Sequence, residues 1–281
     1  MLVPLSCTVR GCTEPLRRVD GAFVCARGHA FDLARSGYVS LLQPQDRKSL
    51  EAGDSRVAVR ARSELIAAGI GLSLMNALLE RSATLSLPHT PPTIVELGCG
   101  GGDLMGRLAE RIAATAVGID LSTAAVTDAA RRFPSLTWVV ANADRRLPLL
   151  DGSVDLVVSV HARRNPSACH RILRALGFLL IVVPAANDLI ELRELVQGEG
   201  VQRDRVPQLV AEHDAWFRVI EQTSCTERCD LDHSALQKVL RGTYRGERLS
   251  ESPRVARIER LTVTLASDIV LFERRPEMVG R

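Results

Sequence analysis

At 281 residues, with 46% apolar and 25% charged side chains, the chain has ordinary globular composition and the length for one large domain plus a small one. Its longest apolar run, Phe178 to Val183 before Pro184, is far short of a membrane span, and Met1-Leu-Val-Pro lacks the basic flank and apolar core of a signal peptide, so a cytoplasmic protein with no membrane partner is expected. Formal charge is only +3, but residues 1–62 hold ten Lys/Arg against six Asp/Glu, a surplus that meets a polyanion or simply solvates a surface.

Seven cysteines, odd in number and unevenly spread, do not make a disulfide framework. The first elements explain four ligand positions instead: Cys7-x4-Cys12, twelve residues, then Cys25-x3-His29. Each close pair spans one turn, and Arg17 to Val24, with Asp20-Gly21 at its tip, supplies a hairpin that turns the pairs toward each other, as a tetrahedral zinc site requires. A segment this short has too little core to fold alone, so metal would supply its folding free energy. Residues 1–45 are therefore read as a zinc-binding module. Residues 46–90 follow as a linker with helices. Gln43 to Asp54 is polar, with Arg47 and Lys48 as phosphate contacts or solvated side chains, and two helices over 56–82 are divided at Gly69-Ile-Gly71. Pro88-His-Thr-Pro-Pro92 forms the joint to the third segment, 91–281.

That segment opens on Thr93-Ile-Val-Glu-Leu-Gly-Cys-Gly-Gly-Gly-Asp103, an apolar strand, a glycine turn and a helix expected from Asp103 to Ala114. Glycines at 98, 100 and 102 allow positive φ and let a ligand lie against bare main chain. The dinucleotide fingerprint needs glycine where Asp103 stands, which counts against NAD. The pattern Glu96-x-Gly98-x-Gly100-x-Gly102 instead resembles motif I of the class I S-adenosylmethionine-dependent methyltransferases. Their donor carries a sulfonium and an ammonium where a dinucleotide carries pyrophosphate, so acidic residues near the turn are tolerated. Asp120 ends the next strand eighteen residues after Gly102, and either accepts ribose hydroxyls or caps the helix starting near Ser122. Cys99 reads as a small turn filler rather than a nucleophile.

Further strands are expected at 115–120, 136–140, 154–160 and 178–183, mostly separated by helices, giving an α/β fold with a parallel sheet. Arg260 to Leu265 and Ile269 to Phe272 are read as a closing hairpin across Ala-Ser-Asp. Asp144, after the third strand, stands where methyltransferases place an acidic residue near the adenine amino group; a turn-former before Leu147-Pro148 is the bland alternative. Cys225, Cys229 and His233 look like a second cluster, but their surroundings match a stretch that holds no metal in the family named next.

Cys25 to Leu42, with its C-x3-H followed by Phe31-Asp32, Ala34-Arg35 and Gly37-Tyr38-Val39, then Leu41-Leu42, Gly53-Asp54-Ser55 and Ala61-Arg62, resembles the zinc segment of the large-subunit ribosomal RNA guanine-N1 methyltransferases. That family includes the tylosin-resistance enzymes. The resemblance implies a class I (Rossmann-like) methyltransferase sheet with a small N-terminal zinc-binding module. It further implies S-adenosyl-L-methionine and Zn2+ as cofactors and methyl transfer to N1 of a guanine in a hairpin loop of 23S rRNA, and it leaves a link to macrolide resistance open. It also allows a homodimer, for which no residue here argues. In the family the loop after the fourth strand tends to read F-A-P-R-N-P. Ala162, Arg164, Asn165 and Pro166 match it, whereas His161 replaces Phe and Arg163 replaces Pro. His161 either stacks on the extruded base, accepts a proton, or is simply tolerated; with Arg164 it is the catalytic candidate. Arg174-Ala-Leu-Gly177 and Gly242-Thr-Tyr-Arg245 also depart from the family pattern, so the base pocket has diverged more than the donor pocket.

Overall fold

The computed structural model describes residues 3–46, 53–198, 200–242 and 257–276; Arg47, Lys48 and Thr243 to Arg245 lie outside them. At the N-terminus, β1 (Leu16–Val19), β2 (Ala22–Cys25) and β3 (Ala30–Asp32) form a small antiparallel sheet whose first two strands meet across Asp20-Gly21, both at positive φ. This is the expected hairpin. Next, β4 (Val39–Ser40) leaves that sheet and pairs parallel with the edge of the main one, and α1 (Arg56–Ala67) and α2 (Leu72–Ala83) follow, broken at Gly69 to Gly71 as expected.

The main sheet has eight strands. After α2 come β5 (Thr93–Leu97), α3 (Asp103–Ile112), β6 (Thr115–Asp120), α4 (Thr123–Arg132), β7 (Thr137–Val140), β8 (Val154–Val160), α5 (Pro166–Ile172), β9 (Leu173–Pro184), α6 (Ile190–Gln197), α7 (Val206–His213), β10 (Phe217–Asp232), α8 (His233–Arg241) and β11 (Arg260–Arg274). Their order across the sheet is β10-β11-β9-β8-β5-β6-β7-β4, with β4 to β9 parallel and β10 and β11 antiparallel to their neighbours. This is the mixed sheet of the class I methyltransferase fold. Strand alternation divides the core: Val95, Leu97, Val117 and Ile119 face one side, while Ile94, Ala116, Trp138 and Val140 face α2, α3 and α4 on the other. Zinc-module residues Leu5, Leu16 and Phe23 belong to the first cluster, so the module covers sheet surface as a helix would.

One expectation fails. Ala266, Ser267 and Asp268 do not turn, because Arg260–Arg274 is a single strand held on one edge by β9 and on the other by β10. The alternation suggests two short strands because the intervening residues are small and polar. They lack the glycine or proline that turns a chain sharply, Ala266 and Ser267 are buried, and Asp268 accepts from Ser224 Oγ at 2.6 Å across to β10. The antiparallel partner is therefore β10, sixteen residues long. On that strand Cys229 Sγ lies 3.0 Å from Glu227 Oε1, and at the start of α8 His233 Nδ1 lies 2.9 Å from the Ile258 carbonyl. Among the described residues Cys225, Cys229 and His233 belong to no group of three or more metal-binding side chains.

Candidate active site and zinc centre

In the zinc module, Cys7, Cys12 and Cys25 are buried and His29 is half-buried, and their four ligand atoms lie within 4.8 Å of one another. His29 Nδ1 stands 3.4 Å from both Cys7 Sγ and Cys25 Sγ. A tetrahedral zinc with ordinary Zn–S and Zn–N bonds has an S···N edge of roughly 3.6 Å, so three thiolates and one imidazole fit the ion both in donor type and in spacing.

The donor side is built where β5 ends. Gly98, Gly100 and Gly102 all have positive φ. A Cβ on Gly98 would lie 2.3 Å from the Ala162 methyl, and one on Gly102 would lie 2.5 Å from the Trp138 ring, so glycine is required at both by closeness as well as by φ. Above Gly100 the space is open. Asp120, at the tip of β6, accepts from Gly100 N through Oδ2 at 2.9 Å and from Ser122 N through Oδ1 at 2.8 Å. The cap of α4 is Ser122, whose Oγ accepts from Ala125 N. Asp120 is thereby left as a carboxylate facing the turn, raised by burial. Glu96 is 4% exposed, its Oε2 has no hydrogen-bond partner, and burial, then the Asp120 and Asp103 charges, push its carboxyl well up. A buried carboxylate oxygen with nothing to bind fits a cationic ligand and repels a pyrophosphate. Asp103 faces away, engaged by Ser63 Oγ at 2.8 Å and Arg132 Nη2 at 2.5 Å; these partners overcome its burial and hold it low.

The cost at Glu96 is measurable. A carboxyl whose pKa is raised on folding favours the fold at low pH and loses that contribution as pH rises through the folded value. Glu96→Gln keeps the shape and removes the charge. In donor-free protein at pH 8 it should raise the melting temperature by about 2–4 °C, the worth of ~1 kcal/mol in a protein of this size. The gap should close as the pH is lowered toward 5, and a melting temperature lowered at both pH values would contradict the assignment.

A segment from the linker closes one side. Gly53, at φ +93, lies so near α4 that a Cβ would meet Ser122 N at 2.6 Å. Ser122 Oγ donates to the Asp54 carbonyl at 2.6 Å, Asp54 forms an ion pair with Arg62, and Ser55 caps α1. Arg62 also donates to Gly242 O at 2.8 Å. Gly-Asp-Ser and Ala-Arg were visible as family matches, but nothing in the sequence said that they bear on Asp120.

Beyond β8 comes the loop 161–165 with the catalytic candidates His161 and Arg164. His161 has φ 50, its N–H donates to Val182 O at 3.0 Å, and its Nε2 lies 3.0 Å from Ser267 Oγ on β11. The residue is exposed at the surface, and partial desolvation of its ring, then the Arg205 and Arg62 charges, lower its pKa to about 4. At neutral pH it is uncharged. Arg164 faces elsewhere: Nη1 donates to Ala162 O at 2.9 Å and Nε to His213 Nε2 at 3.3 Å. Asn165 caps α5. Asp144 is half-buried and ion-paired at 3.3 Å with Arg163, the residue that departs from the family pattern. The structure thus brings Glu96, the three glycines and Asp120 around one turn, with His161 beside it and Arg164 turned toward α7. Cys99 is buried beneath the turn, its thiol pushed up by burial.

A methyltransferase-domain family model matches residues 94–177, and the model of the RlmA N-terminal zinc ribbon matches residues 6–50. The 23S rRNA (guanine(748)-N(1))-methyltransferase of Streptomyces fradiae is 34% identical over 233 residues, covering 82% of this chain and 81% of that protein. The chain belongs to the 23S rRNA (guanine-N1-)-methyltransferase family. A relative from Micromonospora griseorubida, described as a putative 23S rRNA (guanine-N(1)-)-methyltransferase, is 35% identical over 68% of this chain and 69% of its own length. In three dimensions the YcgJ protein of Bacillus subtilis superposes with a TM-score of 0.50 at 13% identity, over 72% of this chain and 98% of that one, which speaks for the fold alone. This guanine-N1 methyltransferase family member thus joins an S-adenosylmethionine-dependent methyltransferase domain to a zinc ribbon. Among the described residues no single helix is long and apolar enough to cross a membrane.

Proposed function

We propose that this enzyme methylates N1 of an unpaired guanine in a hairpin loop of 23S rRNA, in the cytoplasm, and that macrolide resistance is the consequence in the cell. The observation that carries the reading is an acidic glycine turn, Glu96 to Gly102 beside Asp120, in a chain one-third identical over most of its length to an enzyme of that name. S-adenosylmethionine, when bound, supplies an electrophilic methyl group on a sulfonium. Glu96 balances the cationic end of the donor, Asp120 accepts from the ribose hydroxyls, and Asp144 accepts from the adenine amino group once Arg163 yields it. His161 presents a neutral ring to the base. Arg164 positions the loop that carries His161 and Ala162 rather than reaching the reacting atoms, since its guanidinium is taken up by Ala162 O and His213. Cys7, Cys12, Cys25 and His29 hold zinc and so shape the basic N-terminal face that meets RNA. No covalent nucleophile is required, because holding donor and base at near-attack distance accounts for much of the rate. N1 must be unpaired to be reached, which restricts the target to loop or extruded bases.

Primer extension across 23S rRNA from cells with and without the gene tests this. N1 methylation removes a Watson–Crick donor and should stop the polymerase one base short of a loop guanine only where the gene is present. No gene-dependent stop anywhere overturns the guanine-N1 reading. Macrolide susceptibility of the same two strains tests the resistance.

A further inference from the structure

The acceptor wall holds a charged pair to which the sequence drew no attention. After β9 the chain turns through Asp188, and four hydrogen bonds lock that turn onto β11: Asp188 Oδ1 accepts from Ala266 N at 2.9 Å, Leu189 N donates to Thr264 O at 2.7 Å, and Glu191 accepts from Thr264 N and Oγ1 at 2.9 and 2.7 Å. His161 is anchored to Ser267, the next residue of the same strand. Asp188 and His161 thus bind consecutive residues of β11, His161 directly after β8 and Asp188 four residues beyond β9. Among the described residues Ala266 N is the one hydrogen-bond donor to the Asp188 carboxylate, which leaves Oδ2 for a ligand. The charges of two cations act on it. Arg193 comes from α6, with its Nη2 on Ala186 O at 3.0 Å and its buried Nε unpartnered. Arg205 comes from the residue before α7, on a loop tied to the same turn by Gln202 N to Ala186 O at 2.8 Å. Arg205 makes its own side-chain bond only to Gln202 Oε1, is exposed, and has no carboxylate ion pair among the described residues. Its charge acts on both His161 and Asp188.

A carboxylate beside a guanidinium is the complement of one base edge in particular. Guanine presents O6 as an acceptor next to N1–H and N2–H donors, whereas adenine presents a donor and an acceptor in the opposite order. We infer that Asp188 and Arg205 read the target guanine, Asp188 accepting from N1–H and N2–H and Arg205 donating to O6, and that Asp188 takes the N1 proton. In that step the N1 proton passes to the Asp188 carboxylate, the N1–methyl bond forms as the sulfonium–methyl bond breaks, and the broken bond's electron pair stays on sulfur. Burial raises the Asp188 carboxyl, which makes it a better acceptor than a solvated carboxylate, while the low pKa of His161 makes that ring a poor one. The inference rests on the guanine-N1 activity proposed above.

The test uses the full-length enzyme with a 23S rRNA hairpin, after primer extension has established where wild type methylates it. Asp188→Asn keeps the bond to Ala266 N but cannot take the proton. Its kcat should fall by ~100-fold or more with donor affinity unchanged, and the loss should shrink by about tenfold per pH unit as alkaline pH removes the N1 proton without help, a recovery that a purely structural role would not produce. A kcat within about threefold of wild type overturns the inference. Should Asp188→Asn lose donor binding as well, Arg205→Gln on the exposed loop decides. A kcat/KM for the hairpin lowered about tenfold or more at unchanged donor affinity is expected, and an unchanged kcat/KM overturns the pair. If wild type leaves N1 unmethylated, the proposed function falls and takes this inference with it. If wild type methylates N1 and both variants match it, the inference alone falls.

Discussion

Replacing Cys25 with serine is expected to empty the metal site and to cost the enzyme its action on RNA while sparing most of its grip on the donor. Serine lacks the thiolate that makes a structural zinc site strong, and such sites in zinc-finger peptides are worth about 10–16 kcal/mol of folding free energy. In this chain the loss would not stay local. Leu5, Leu16 and Phe23 of the module are packed in the same core cluster as Val139, Leu147 and Leu149, Ser6 N donates to Pro148 O at 3.1 Å, and Leu41 N donates to Val140 O at 3.0 Å. Unfolding the module strips one face of the sheet and frees the β4 edge. Zinc content should fall below about a tenth of an ion per chain, and the melting temperature by ~10 °C or more at roughly 2–4 °C per kcal/mol. Methylation of the RNA hairpin should drop by about 100-fold, because the face that carries the basic surplus is lost. Donor affinity should weaken less than about tenfold, since Glu96 and Asp120 sit on β5 and β6 in the middle of the sheet. A Cys25→Ser protein with wild-type melting and wild-type RNA activity would show that the four residues are not a structural centre.

How far the sequence went depended on whether the relevant contact was local. The zinc spacing, the Asp20-Gly21 hairpin, the glycine turn and the strand carrying Asp120 are each set by residues close in the chain, where periodicity and turn chemistry speak directly. The breakdown came where partners are distant. Nothing near Ala266 to Asp268 announces that β10 and β9 lie on its two sides, so alternation there was divided into a hairpin that the structure replaces with one long strand. The same blindness hid the acceptor wall: Ser267 meets His161 from 106 positions away, and Ala266 meets Asp188 from 78. Arg62 was counted as a family match without a role, because its partners Asp54 and Gly242 stand 8 and 180 positions away on separate elements. Motif I was legible because one short turn contains it. The base pocket was not, because it is assembled from the ends of β8, β9 and β11.

Asp120→Ala should abolish useful donor binding without unfolding the protein. The carboxylate can do two things at once: its oxygens receive the N–H groups of Gly100 and Ser122, holding the glycine turn against the start of α4, and each oxygen keeps a second lone pair for a ligand. Hydrogen bonds to a charged group are each worth about 1.5–3 kcal/mol, so losing two to the ribose hydroxyls weakens binding by roughly 100-fold or more. Stability should change little, because two effects oppose each other. Burial keeps the Asp120 carboxyl raised, a cost that grows as pH rises through its folded value and that alanine does not bear, although two buried N–H groups lose their acceptor. Calorimetric titration of donor into the Asp120→Ala protein should therefore show a dissociation constant at least about 100-fold above wild type, with the melting temperature of the donor-free variant within a few degrees of it. Asp120→Asn separates the two roles, because an amide can still accept from one backbone N–H while offering the ribose a weaker acceptor; its affinity should fall between alanine and wild type. If alanine binds donor as wild type does, Asp120 is only the brace between Gly100 and Ser122, and the ribose lies elsewhere.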